Sequence, residues 1–67
     1  MKRTAYLYVY ECTPELMGYI DGILVGDGRD YFWETDNIFS CRQDEIYAIH
    51  ELLLDHNIET MPVKRRQ

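Results

Sequence analysis

Four side chains in this sequence could carry nucleophilic or metal chemistry: Cys12, Cys41, His50 and His56. Zinc ligands recur at short, regular spacings, and a metal pair on one helix needs spacing i and i+4. The two histidines lie six residues apart, so on a helix they do not share a face. The cysteines complete no zinc-ligand spacing with them. The sequence therefore predicts no metal site and no cofactor.

Cys41 is the best candidate for a catalytic nucleophile, because it lies near the start of a predicted helix, where the pKa of a thiol falls. His50 could serve it as a base. However, it lies more than two turns along the same helix, at about 1.5 Å per residue, which is too far to touch Cys41. We therefore interpret Cys41 as a half-buried structural residue and expect no catalytic residues. An enzyme that relies on Cys41 and the histidines is the weakest of three hypotheses.

The stretch "GDGRD" at 26–30 resembles a phosphate or calcium loop only superficially. No Lys-Ser/Thr pair follows the glycines, so it is not a P-loop. The acids Asp27, Asp30 and Glu34 do not follow the EF-hand order. Glycine and aspartate at these positions are instead typical of a turn.

Charge is distributed unevenly along the chain. Residues 4 to 63 contain twelve acids and two bases, whereas the other five bases lie at the ends: Lys2, Arg3, Lys64, Arg65 and Arg66. The body thus has a formal charge of −10 and the termini +5. An acidic body repels nucleic-acid phosphates, so we expect no direct binding of DNA or RNA. The acidic residues either promote solubility or form an acidic surface that docks on a basic partner.

Size and composition predict one folded domain over residues 1–67. No apolar run reaches the roughly 18–20 residues that span a membrane, and the N-terminal apolar stretch meets Glu11 before any cleavage site. Two cysteines are too few for a disulfide scaffold. We therefore expect a cytoplasmic protein without a membrane partner.

The N-terminal third contains one clear strand and one ambiguous segment. Residues 3–11 alternate, with Ala5, Leu7 and Val9 on one side and the tyrosines on the other, which predicts a central strand. Residues 13–25 begin with the helix-start signal "TPE" and have helical apolar spacing. Two glycines and the strand formers "YI" and "ILV" favour a strand instead. On that interpretation, 18–25 and 31–35 form a hairpin.

The C-terminal half contains the main helix, at 41–56. Ser40 and Gln43 match a capping box, the apolar stripe runs from Ile46 to Leu53, and Asn57 is suited to a left-handed C-cap. Residues 58–63 then predict a short strand, which Pro62 restricts to an edge. The predicted fold is α+β: a small two-layer domain, order β-β-β-α-β, with three to four antiparallel strands and one main helix on one face.

One helix covers only one face of such a sheet, so an aromatic face is expected to remain open. We assign to it Tyr6, Tyr8, Tyr10, Tyr31 and Trp33. Tyrosine and tryptophan are enriched in protein interfaces. A rim of acids is expected around them: Asp21, Asp27, Asp30, Glu34 and Asp36.

Protein binding is therefore the function that the sequence favours. Its concrete form is an inhibitor that docks on the basic, nucleic-acid-binding site of a partner protein, with carboxylates in place of phosphates. Small acidic chains of this type are common among phage-encoded inhibitors, although no motif here identifies a family. The alternative is a homodimeric module whose tyrosine face is its own interface. If the last strand pairs antiparallel with the first, the basic termini also form a corner on the acidic body.

Overall fold

The computed structural model of this protein describes residues 4–63 and is an α+β domain of two layers. Its elements in chain order are β1 (Ala5–Val9), α1 (Pro14–Gly26), β2 (Tyr31–Trp33), β3 (Ile38–Cys41), a 3-10 turn (Gln43–Glu45), α2 (Ile46–Leu54) and β4 (Thr60–Val63). The α+β class, the central first strand and the main C-terminal helix are confirmed. The predicted order β-β-β-α-β differs in detail: four strands are present, but the second predicted strand is helix α1 and strand β3 was not predicted.

The four strands form one antiparallel sheet in the order β2-β3-β1-β4. Two interleaved βαβ units, β1-α1-β2 and β3-α2-β4, produce this order, which is the topology of ferredoxin-like domains. Directly paired residues point to the same side of a sheet. Leu7 pairs with Phe39, and Phe39 pairs with Trp33, so these three side chains share one face.

Both helices pack on that face. Ile20 and Leu24 of α1 and Ile49 and Leu53 of α2 are fully buried in one cluster with Leu7 and its neighbours in the sheet. The cluster contains the aliphatic side chains of β1, as the alternation in residues 3–11 predicted. The other face of the sheet has no helix over it within residues 4–63. No helix in this part of the chain is long and apolar enough to cross a membrane.

The strand interpretation of residues 18–25, and hence the hairpin with 31–35, is wrong. Thr13 caps α1: its hydroxyl oxygen accepts a hydrogen bond from the Leu16 N–H at 3.1 Å, and Pro14 occupies the first turn. "GDGRD" is a turn, as predicted, but it ends this helix. Gly28 has a φ of 71°, and the Arg29 N–H donates to the Leu24 carbonyl.

We expect Gly18→Ala to raise the free energy of unfolding by up to about 1 kcal/mol, because Gly18 is in a helix interior and a Cβ there meets nothing within 4 Å. Gly28→Ala is the control. Space around Gly28 is equally open, but its φ of 71° penalises any side chain by about 1–2 kcal/mol. Urea unfolding measures the stability of both variants. A Gly18→Ala variant that is less stable than Gly28→Ala would contradict the prediction.

The predicted start of the main helix is also wrong. Ser40 is not a helix cap; it lies in β3 opposite Tyr6 and Phe32. The chain leaves the sheet after Cys41, makes the 3-10 turn and enters α2 only at Ile46. Strand β3 was missed because "IFSC" does not alternate between apolar and polar residues and because Ser40 and Cys41 had been assigned to the start of the helix.

The end of α2 and the last strand agree with the sequence. Asn57 has the expected left-handed backbone, with a φ of 62°, and the Ile58 N–H donates to the Leu53 carbonyl at 2.9 Å. Strand β4 is at the edge and pairs antiparallel with β1, with Pro62 opposite Leu7. The predicted corner of Lys2, Arg3 and 64–66 lies outside the described residues.

Candidate protein-interaction face

The sheet surface opposite the helices is the candidate site, and we call it the open face. Register and alternation place the following side chains on it: Tyr6, Tyr8, Tyr10, Phe32, Glu34, Ile38, Ser40, Met61 and Val63. All but Glu34 and Ser40 are apolar or aromatic. They form two rows across the strands. One row runs from Phe32 through Ser40 and Tyr6 to Val63, and the other from Ile38 through Tyr8 to Met61.

Three large side chains of the open face are strongly exposed. Phe32 has 55% of its surface accessible, Met61 45% and Tyr10 44%, while Tyr6 and Tyr8 are half-buried. The rings of Tyr8 and Tyr10 pack edge to face with centroids 5.2 Å apart, and the Tyr10 hydroxyl donates to the Met61 sulfur at 3.4 Å. Tyr8, Tyr10 and Met61 therefore order one another. Together with the other apolar side chains of the open face they form the apolar patch, which has members on all four strands.

One carboxylate interrupts this patch, at its β2 side. The Ser40 hydroxyl, buried in the sheet, lies 2.9 Å from Glu34 Oε2 and 3.3 Å from the Phe32 carbonyl oxygen. A hydroxyl has one proton, and the charged carboxylate is the stronger acceptor. Glu34 is thus held against the sheet by a hydrogen bond.

Tyr31 and Trp33 do not lie on the open face, which corrects the prediction. They pair with Cys41 and Phe39 and point toward the helices. The Tyr31 hydroxyl donates to Asp21 Oδ1 at 2.5 Å, and the Trp33 indole N–H donates to the same oxygen at 2.9 Å. Asp21 therefore fastens α1 to β2 and is not part of a rim around the open face.

The other predicted rim acids are also dispersed. Asp27 forms an ion pair with Arg29 at 2.7 Å in the turn after α1, and Asp30 lies just before β2. Asp36 lies in the turn between β2 and β3. Of the five predicted acids, only Glu34 lies on the open face. The structure thus separates an apolar patch from the carboxylates that were expected to surround it.

The cysteine and histidine side chains considered for catalysis are buried or engaged in hydrogen bonds. Burial raises the pKa of the Cys41 thiol to about 11, and the charges of Glu45 and Asp30 add to the rise. Burial, with a smaller contribution from Asp36, also raises the pKa of Cys12. Both cysteines are free thiols. At neutral pH they remain protonated, which is the unreactive form.

The histidines are held by hydrogen bonds. His50 Nδ1 lies 2.7 Å from the Thr60 hydroxyl, and His56 Nδ1 lies 3.0 Å from the Leu52 carbonyl oxygen. Within residues 4–63, the His, Cys, Asp and Glu side chains form no group of three that could hold a metal ion.

Phe32, Ile38, Met61 and Val63 belong to the open face but were not predicted. The two β4 residues, Met61 and Val63, could have been predicted in part. The last strand was expected to pair with β1, and such a pairing places either Met61 or Pro62 opposite a tyrosine. For Phe32 the signal was ambiguous, because both sides of "YFW" are aromatic. Only the register with β3 decides which side faces the helices.

Comparison with protein-family models, curated proteins and solved structures found no match to this chain. The ferredoxin-like topology itself hosts many unrelated functions, so it assigns none. We therefore infer the function from the surface of this molecule.

Proposed function

We propose that this chain is a non-enzymatic protein-binding domain that binds another polypeptide through its open face. One observation carries the proposal. The sheet has both helices on one side, and on the other side it presents the apolar patch, in which Phe32, Met61 and Tyr10 are about half exposed. A small domain gains stability by burying such side chains, so a large exposed patch is typical of a binding surface.

The chemistry of the patch suits a polypeptide better than a nucleic acid. Aromatic side chains on a sheet can stack bases, but that mode also needs a basic groove. Both arginines of the described chain are paired: Arg29 with Asp27 at 2.7 Å and Arg42 with Asp44 at 2.8 Å. The open face itself contains one carboxylate and no cation within residues 4–63.

Inhibition of a basic, nucleic-acid-binding partner is the second candidate function. The ion pairs just described favour it, because they occupy both arginines and leave the described part of the chain with a large excess of carboxylates. The carboxylates do not surround the open face, however. A basic partner would therefore contact the acids beside the sheet, and the apolar patch would contribute separately.

Capture of partners by the immobilised, tagged chain tests the proposed function. We expect Phe32→Lys and Met61→Lys to retain at least tenfold less of any captured protein, because each places a charge in the apolar patch. The control is Tyr47→Lys, since Tyr47 is 70% exposed but lies on α2, behind the sheet. Equal retention by Phe32→Lys and wild type would refute the open face as the binding surface.

The same columns, eluted with rising salt, separate the two candidates. At about 1 M salt the Debye length is about 3 Å, so an interface between basic and acidic surfaces is screened and the partner elutes. An apolar interface survives this concentration. Early elution of a nucleic-acid-binding protein supports the inhibitor; retention at high salt supports the apolar mode.

A further inference from the structure

A groove lies beside the open face, at the end of the sheet where β1 ends and β4 begins. Its volume is about 290 Å³. Pockets for whole small molecules start at about 300 Å³, so this groove has room for one long side chain or a short segment rather than for a large cofactor. Six residues line it: Tyr10, Glu11, Leu16, Asn57, Ile58 and Glu59.

The ends of three elements bring these residues together. The Tyr10 N–H donates to the Glu59 carbonyl at 3.4 Å, which continues the pairing of β1 with β4 by one residue. Leu16 comes from the first turn of α1. Ile58 is buried in the core cluster and Leu16 packs against that cluster, so these two side chains give the groove an apolar floor.

Two carboxylates line the same groove, those of Glu11 and Glu59. Both residues are exposed, and within residues 4–63 neither side chain has a hydrogen bond or an ion pair. They differ in this from Asp21, which accepts two hydrogen bonds, and from Asp27, which is paired with an arginine. The carboxylates of the groove are therefore available to a ligand.

The described arginines do not neutralise this negative charge. Arg29 precedes β2 and Arg42 follows β3, so both flank the end of the sheet at which β1 begins. The length of β1, about 15 Å at roughly 3.3 Å per residue, separates that end from the groove. Both arginines are also already paired there, with Asp27 and Asp44. The groove thus complements a cation that comes from another molecule.

The backbone of the groove supports a functional role for Glu11. Glu11 has a φ of 50° and Asn57 has a φ of 62°. Asparagine adopts this left-handed conformation readily, whereas glutamate does not. Residue 11 therefore has a side chain that its backbone disfavours, and residues of this kind cluster at ligand sites.

We propose that this groove binds a basic side chain, an arginine or a lysine, of the polypeptide that occupies the open face. This inference rests on the proposed function. The aliphatic stem of such a side chain packs on Leu16 and Ile58. Its cationic head reaches the carboxylates of Glu11 and Glu59. Tyr10 belongs to both the open face and the groove, so a single bound segment contacts both.

Other classes of ligand match this lining less well. A metal ion gains nothing from an aliphatic floor, and two carboxylates repel the phosphates of a nucleic acid. A purely apolar side chain fills the floor but leaves both carboxylates without a partner. Arginine and lysine combine an apolar stem with a charged head, and the exposed ring of Tyr10 adds a face on which a cation is attracted.

Titration of the isotope-labelled, full-length chain with small probes, followed by the NMR signals of the backbone amides, tests the groove. The main probe is a blocked dipeptide of leucine and arginine, and its control is the dipeptide of leucine and glutamine, which lacks the charge. We expect the arginine dipeptide to shift the amide signals of Glu11, Asn57 and Glu59 and to bind at least tenfold more tightly than the control. Equal binding of the two dipeptides, or no shift at these residues, would overturn the inference.

Matched substitutions of carboxylate by amide test the charge. Glu59→Gln should weaken binding of the arginine dipeptide about five- to tenfold. Glu51→Gln makes the same change at an exposed position of α2 that does not line the groove, and it should have no effect. Equal weakening by both variants would indicate general attraction between charges and would overturn the groove as the site.

Glu11→Asn separates binding from folding. It removes the second carboxylate and at the same time suits the left-handed backbone at residue 11. We therefore expect weaker binding of the arginine dipeptide together with a thermal unfolding midpoint no lower than that of the wild type. Unchanged binding by this variant would exclude Glu11 from the site and contradict the inference.

Two outcomes distinguish this inference from the proposed function and from a free ligand. If Phe32→Lys loses a captured protein while Glu59→Gln binds the arginine dipeptide like wild type, the open face is upheld and the groove is overturned. The free cation n-butylguanidine has the same head and a similar stem but no peptide backbone. If it binds as tightly as the dipeptide, the groove is a site for free organic cations, and the polypeptide occupant is overturned.

Discussion

Replacement of Phe39 by alanine is expected to lower the free energy of unfolding by about 3–5 kcal/mol. Among residues 4–63, Phe39 is the largest fully buried side chain, and it belongs to the helix-side core. Its ring packs edge to face with Tyr31 and Trp33, at centroid distances of 6.0 and 5.2 Å, and it lies opposite Leu7. Alanine removes these contacts and leaves a cavity that the rigid sheet cannot fill.

The loss is large relative to the total stability of a chain this short. At about 0.05–0.15 kcal/mol per residue, 67 residues have a total of about 3–10 kcal/mol. Phe39→Ala is therefore expected to lose about a third or more of the total stability of the chain. Phe39→Leu keeps most of the volume and should remain measurable by urea denaturation.

The matched control is Phe32→Ala, the same substitution on the neighbouring strand but on the open face. Phe32 is 55% exposed, so its loss should cost less than about 1 kcal/mol. Comparable losses for Phe32 and Phe39 would mean that both faces of the sheet are buried, which would contradict the open face as well as the core.

The sequence contained the correct signals for α1, but local propensity pointed the other way. "TPE" and the helical spacing of Ile20 and Leu24 favoured a helix, while Gly18, Gly22 and the β-branched residues favoured a strand. The helix prevails because Ile20 and Leu24 are fully buried against the sheet. Burial of about 1.5–3 kcal/mol for each such side chain outweighs about 1 kcal/mol for each glycine.

The side to which each residue of β2 points could not be read from the sequence. A strand period of two divides "YFW" into two sets, and both sets are aromatic. Pairing with the unforeseen strand β3 puts Phe32 on the open face and turns Tyr31 and Trp33 to the helices. The acidic rim failed for a different reason: Asp21 was expected within the strand interpretation of 18–25, but it lies in α1.

Asp21→Ala is expected to cost about 2–4 kcal/mol of stability, the second largest effect predicted here. The carboxylate accepts from Tyr31 at 2.5 Å and from Trp33 at 2.9 Å, and hydrogen bonds to a charged acceptor contribute about 1.5–3 kcal/mol each. Partial exposure of both donors reduces that sum. Urea unfolding measures the loss, and a double-mutant cycle with Tyr31→Phe isolates the bond to Tyr31.

The matched control is Asp27→Ala. Asp27 directly follows α1, the helix that contains Asp21, and it also has a partner, Arg29 at 2.7 Å. This pair is at the surface and contributes about 0–1 kcal/mol. Equal effects of Asp21→Ala and Asp27→Ala would show that the contact between α1 and β2 does not depend on the Asp21 bonds.

Alkaline pH tests the same bond without a change at Asp21. Burial, followed by the hydrogen bond and the charge of Asp21, raises the pKa of Tyr31 from 10 to about 12. The folded state therefore favours the neutral phenol. This contribution to stability is complete below pH 10 and is lost as pH rises toward about 12. Tyr31→Phe has no proton to lose, so its stability should fall less over this range than that of wild type. If both proteins lose stability in parallel, the Tyr31–Asp21 bond does not govern the alkaline response, and the loss must come from other groups.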